Sequence, residues 1–159
     1  MAIISSGIEQ KDRKSIEEIL RSTNYFYEFE IQTALEIADE TLSKGTQISG
    51  YYWQKITDED GLIAFANYGK NAFSTHSWDL YWIAVHQNSR NKKLGSILLK
   101  AIEDDVRNMG GKILWIETSG RPLYASTESF YRRNGYELQA SLREFYGPED
   151  PKQIYSKIL

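Results

Sequence analysis

A β-rich run, Ser77–Val85 (SWDLYWIAV), passes through a short basic turn, His86–Lys93, into a long amphipathic helix. That helix leads to a second apolar run, Lys112–Thr118 (KILWIET). No other feature constrains the chain as strongly. Two buried-type strands joined by a helix lie parallel, through a right-handed crossover. The helix is read from Leu94, Ile97, Leu98, Ala101, Ile102, Val106 and Met109, which recur at three- and four-residue spacing on one face, with Gly110-Gly111 as its end. A strand that feeds a helix through such a turn also makes an anion site. Backbone N–H groups and the positive helix end point at one spot, and Arg90, Lys92 and Lys93 add three charges there. Positive charge at a helix N-terminus costs a few tenths to ~1 kcal/mol unless an anion neutralises it. Three such cations point to a phosphate-bearing ligand.

The flanks add antiparallel strands and further helices. Ile3-Ile4 reads as a short first strand, and Lys11–Arg21 and Glu28–Ser43 as helices. Gln47–Thr57 and Leu62–Tyr68 read as a hairpin whose turn ends in Asp60-Gly61. Ser126–Asn134 reads as a short helix, and Tyr136–Tyr146 and Gln153–Leu159 as two final strands. The 159 residues show no repeat or linker, so a single domain over 1–159 of mixed α/β class is expected. A net charge of −3 gives no basic field for nucleic acid, which makes the cluster at 90–93 a local feature. With no cysteine there is no disulfide and no thiol nucleophile. No run approaches the ~18 apolar residues of a membrane span, and the first residues lack the apolar core of a signal peptide. No membrane partner is expected, and a cytoplasmic location is the default.

The order of elements, with RNKKLGS opening the long helix, resembles the GNAT superfamily of N-acetyltransferases. The family's coenzyme A turn is Q/R-x-x-G-x-G/A. Here it reads Arg90-Asn91-Lys92-Lys93-Leu94-Gly95. Arg90 and Gly95 match, while Lys93 stands where the pattern has its first glycine, and a lysine does not easily adopt a positive φ. Phe130-Tyr131-Arg132-Arg133-Asn134-Gly135-Tyr136 resembles the family's FYxxxGF/Y helix end, and Leu80–Val85 its central strand. The resemblance implies a central mixed, mostly antiparallel sheet of six to seven strands with one parallel splayed pair, flanked by about four helices. It implies acetyl-CoA as cofactor, with its phosphates on Arg90, Asn91, Lys92, Lys93, Leu94, Gly95 and Ser96. The main chain of Ile83, Ala84 and Val85 would meet the pantetheine arm, and Tyr131 would lie near the thioester sulfur.

Acetyl transfer to an amine by direct attack needs a base, because alkyl amines have pKa near ~10, and a donor for the departing thiolate. Tyr131 is the candidate donor. Asp79, at the start of the central strand, and Glu117, inside the apolar run ILWIET, are the candidate bases, and Glu117 is also a candidate for acceptor contact. A water chain is the alternative base. Tyr27, Tyr81, Tyr124 and Tyr146 are candidate acceptor-pocket walls, within an aromatic content of 13%. No metal site is read. The expected acceptor is a small-molecule or amino-acid-like amine. Alternatives on the same fold are a protein N-terminus or lysine as acceptor, or a non-catalytic acyl-CoA-binding domain. The aromatic C-terminal strands are candidates for pairing in a homodimer.

Overall fold

A computed structural model describes all residues, Met1–Leu159. Seven strands form one sheet in the order β1-β2-β3-β4-β5-β7-β6, mostly antiparallel with one parallel pair, as expected. Five helices accompany it rather than about four. The chain divides into two compact units, Met1–Gly69 with Trp82–Ile102, and Lys70–Tyr81 with Glu103–Leu159.

In the first unit, β1 (Ile3–Ser6), β2 (Tyr52–Asp58) and β3 (Gly61–Lys70) pair antiparallel. Helices α1 (Asp12–Thr23) and α2 (Glu28–Lys44) bury Ile16, Ile19, Leu20, Ile31, Ala34, Leu35 and Ala38 against Trp53, Phe65 and Ala84. Lys55 on β2 reaches through this core to Asp12 of α1, Nζ to Oδ2 2.6 Å. The stretch expected to be strand from Gln47 opens instead as a one-turn helix, α3 (Thr46–Ser49), and β2 starts only at Tyr52. Gly45 and Gly50, with φ of 81° and 78°, bracket that turn and keep it from extending. The hairpin closes on Glu59-Asp60, with Asp58 paired to Gly61.

In the second unit, residues Ser77–Leu80 of β4 (Ser77–Val85) pair in parallel with Ile113–Ile116 of β5 (Ile113–Ser119). Antiparallel strands β7 (Asp150–Ile158) and β6 (Glu137–Gly147) extend the sheet from β5. Residues paired across a ladder point to the same face. Asp79, Trp115 and Ser156 therefore share one face, and Glu117, Ile154 and Ala140 continue it. Leu114, Ile116 and Tyr155 point to the other face and are fully or almost fully buried. Helix α5 (Ala125–Arg133) covers this second face through Tyr131, whose ring lies 5.8 Å from that of Tyr155 and 6.0 Å from that of Tyr136. Glu103 of α4 (Leu94–Asn108) is buried and accepts from Tyr136 Oη at 2.9 Å and Lys157 Nζ at 3.0 Å, which ties helix, β6 entry and β7 together.

Candidate active site

The basic turn belongs to the first unit. A 3-10 turn, Gln87–Ser89, follows β4, and His86 Nδ1 accepts the Asn88 N–H at 3.1 Å, so this histidine is spent on local structure. Asn91 and Lys93 both take left-handed backbone, φ 65° and 61°. Lys93 thus adopts the conformation that its position in the glycine pattern demands, although its Cβ opposes it. The Lys93 carbonyl accepts the Ile97 N–H at 3.1 Å, so Leu94, Gly95 and Ser96 form the first turn of α4, whose N–H groups have no partner within the helix. That turn holds no carboxylate, whereas α1 opens with Asp12 and α2 with Glu28 and Glu30. Arg90, Asn91, Lys92 and Lys93 are exposed, Leu94 is buried, and Gly95 and Ser96 are half-buried. Arg90 is held from behind: Nη2 donates to Tyr25 Oη at 3.2 Å, and its guanidinium lies 5.3 Å from the Tyr25 ring centroid. In β4, Ala84 joins the core, and Ile83 and Val85 are half-buried.

The proton-handling candidates lie in the second unit. Asp79 is half-buried and accepts from Asn71 Nδ2 at 3.0 Å. Burial lifts its pKa above the usual aspartate value, the charge of Glu117 adds to the lift, and the Asn71 bond opposes it. Glu117, on the same face, is tied to Lys152 on β7, Oε2 to Nζ 2.7 Å. The Lys152 ammonium in turn sits 4.3 Å from the Phe145 ring centroid. The two carboxylates are therefore unequal. One is paired with a cation, and the other is partly desolvated with a single neutral donor. Tyr131 is 4% exposed, and burial among Tyr155 and Tyr124 raises its phenol pKa well above 10. Such a phenol keeps its proton at neutral pH. It stands on the sheet face opposite Asp79 and Glu117.

The tyrosines named from sequence scatter. Tyr81 lies two residues along β4 from Asp79 and is substantially exposed. Tyr146, exposed, packs edge-on against Phe145 at 5.0 Å. Tyr124 is buried and lines a cavity of ≈ 110 Å³ with Ser119, Arg121, Glu128 and Tyr155. Tyr27, in the first unit, precedes α2 and stacks on Phe29 at 5.5 Å. Asn71, Lys152 and Tyr25 escaped the sequence reading as partners of Asp79, Glu117 and Arg90. Alternation along β7 is the one signal that could have found Lys152, and it needs the β5–β7 register. No group of three or more His, Cys, Asp or Glu is placed to hold a metal ion. No helix is long and apolar enough to cross a membrane.

The profile of the Acetyltransferase (GNAT) family matches residues 13–136. A Desulfovibrio desulfuricans protein assigned to the GNAT family of acetyltransferases is 34% identical, with 99% of each chain covered and a TM-score of 0.95. The chain belongs to the GNAT family of acetyltransferases. Two more distant structures share the fold. An aminoglycoside 6'-N-acetyltransferase complexed with coenzyme A is 19% identical, with 98% of this chain and 96% of that one covered, TM-score 0.78. The Escherichia coli ribosomal-protein-S18-alanine N-acetyltransferase is 20% identical, with coverage of 99% and 94%, TM-score 0.76. None of the curated proteins matches the chain in sequence.

Proposed function

We propose that this chain is a single-domain N-acetyltransferase that uses acetyl-CoA and acylates, by direct attack, the amine of a small-molecule or amino-acid-like acceptor. The observation that carries the reading is the start of α4. Three cations and two left-handed residues precede a first helical turn that holds no carboxylate, an arrangement suited to a pyrophosphate. Arg90, Lys92, Lys93 and the N–H groups of Leu94, Gly95 and Ser96 would hold it, with Ile83, Ala84 and Val85 along the arm. Bound acetyl-CoA supplies the activated acetyl thioester. Asp79 takes the proton from the acceptor's ammonium, because its raised pKa makes it a better base than an ordinary aspartate. Glu117, neutralised by Lys152, contributes to the acceptor's surroundings. Tyr131 presents its retained proton to the leaving sulfur. Tyr27, Tyr81, Tyr124 and Tyr146 are the proposed acceptor-side aromatics.

The test is a panel of an aminoglycoside, a polyamine, free amino acids and an alanine-initiated peptide with acetyl-CoA, read by the thiol released. The chain has no cysteine, so the thiol signal belongs to coenzyme A alone. Arg90→Ala with Lys92→Ala is expected to weaken acetyl-CoA binding about tenfold or more, and the remaining affinity to depend less on salt. Unchanged affinity would remove the turn from the site. Binding with no acetylated amine would favour a non-catalytic acyl-CoA-binding domain.

A further inference from the structure

The segment between β3 and β4, residues 71–76, reads in sequence only as a break between strands. In the fold it is a closed bracket. The Asn71 N–H donates to the Ser77 carbonyl at 3.0 Å, and the Ser74 N–H donates to the Asn71 carbonyl at 3.2 Å. Ser74 Oγ accepts from the N–H groups of His76 at 3.2 Å and Ser77 at 2.9 Å. Inside the bracket, Asn71 Oδ1 accepts the Phe73 N–H at 3.0 Å. A backbone N–H can only donate, so the atom facing it must be the amide oxygen. The amide nitrogen is thereby forced toward Asp79, 3.0 Å from Oδ2. The orientation of the amide follows from the backbone.

We propose that Asn71 is the positioning residue of Asp79. Its amide claims Oδ2, fixes the carboxylate plane and leaves Oδ1 to take the acceptor's proton. It also limits how far burial can push the carboxyl toward the neutral form. The charged and titratable groups on the same face include Glu117 on β5, Asp150 and Lys152 on β7, Glu137 on β6 and Tyr81 on β4. Lys152 is bound to Glu117, so the amide of Asn71 is the one donor given to Asp79. The inference rests on reading Asp79 as the base.

Two variants separate positioning from loop structure. Asn71→Ala removes both bonds. Asn71→Asp is isosteric, keeps an acceptor for the Phe73 N–H and replaces the donor toward Asp79 by a like charge. The Asp79 carboxyl is titrated by ¹³C NMR in the wild type and both variants. The pH dependence of kcat/KM is followed with acetyl-CoA and tobramycin, or an alanine-initiated peptide if that is the acceptor. The expected result is an Asp79 midpoint that rises in the order wild type, Asn71→Ala, Asn71→Asp. The acidic limb of kcat/KM should move with it, and KM for acetyl-CoA should stay put. An unmoved midpoint in Asn71→Asp overturns the inference. An Asp79→Asn variant that keeps the wild-type acidic limb overturns the base assignment instead, and the NMR midpoints then still report on the Asn71 bond by itself.

Discussion

Lys93 shows how a single residue can obey a motif whose letter it breaks. Its φ of 61° is the value a glycine would supply at no steric cost. A Cβ in that region costs roughly 1 kcal/mol, and the side chain brings one more positive charge to the turn. Lys93→Gly is therefore expected to raise stability by up to about 1 kcal/mol, a Tm gain of roughly 2–4 °C, and to weaken acetyl-CoA binding. Calorimetry and titration on the same sample check both signs, and a variant that gains stability without losing affinity would show the charge to be idle. Asp79 and Glu117 make a similar point about context. In sequence Asp79 opens the central strand and Glu117 sits inside an apolar run, which favours Glu117 slightly for acceptor contact. Packing separates them, because Lys152 reaches Glu117 from a strand 35 residues away while Asp79 meets only an amide.

At the scale of elements, period and punctuation were largely legible. The central strand, the crossover helix and the paired C-terminal strands stand where apolar spacing and glycines put them. Spacing was less reliable about which residues a helix buries. Leu94, Leu98, Leu99, Ile102 and Val106 are the buried apolar positions of α4, while Ile97 and Met109 are exposed. At about 100° per residue the buried positions form one arc of the helix that contains Leu99 and leaves Ile97 outside. The joint after α4 separates two roles of glycine. Gly110 has φ 86° and open space at its Cβ position. At Gly111 an added Cβ would lie 2.3 Å from Val106 Cγ1 and 2.6 Å from Trp78 Cδ1. Gly111→Ala is expected to cost about 2 kcal/mol by overpacking, roughly 6 °C in Tm, and Gly110→Ala about 1 kcal/mol by backbone strain. Thermal melts of the two variants give the order, and equal losses would contradict the packing account.

At the scale of the molecule, buried ion pairs fix the seating of elements within each unit. Asp12 and Lys55, with side chains 5% and 8% exposed, pin α1 to the middle of β2. Burial opposes the charge on Lys55, but hydrogen bonds to Asp12 and Glu9 outweigh it and hold its pKa above 10.5. A folded-state pKa raised in this way gives stability that is present in full below the unfolded value and lost as pH rises through the folded one. Asp12→Ala is expected to cost about 3–5 kcal/mol at neutral pH, and replacing both partners by Leu and Met to recover most of it. Denaturant titration of the single and double variants decides this, and a double variant as unstable as the single one would mean that the pair adds stability beyond its shape. What the sequence determined by itself was the kind of protein. Local period, glycine punctuation and a basic turn before a helix act within a dozen residues and specified a mixed α/β sheet with an anion-binding turn, while the resemblance of RNKKLGS and FYRRNGY to GNAT motifs pointed to the family. Only the tertiary structure decided the partners: Asn71 for Asp79, Lys152 for Glu117, Tyr25 for Arg90, and the opposite faces that separate Tyr131 from the carboxylates. Those pairings depend on strand register and on side chains 8 to 65 positions apart, and no local pattern encodes which distant residue packing will bring within hydrogen-bond reach.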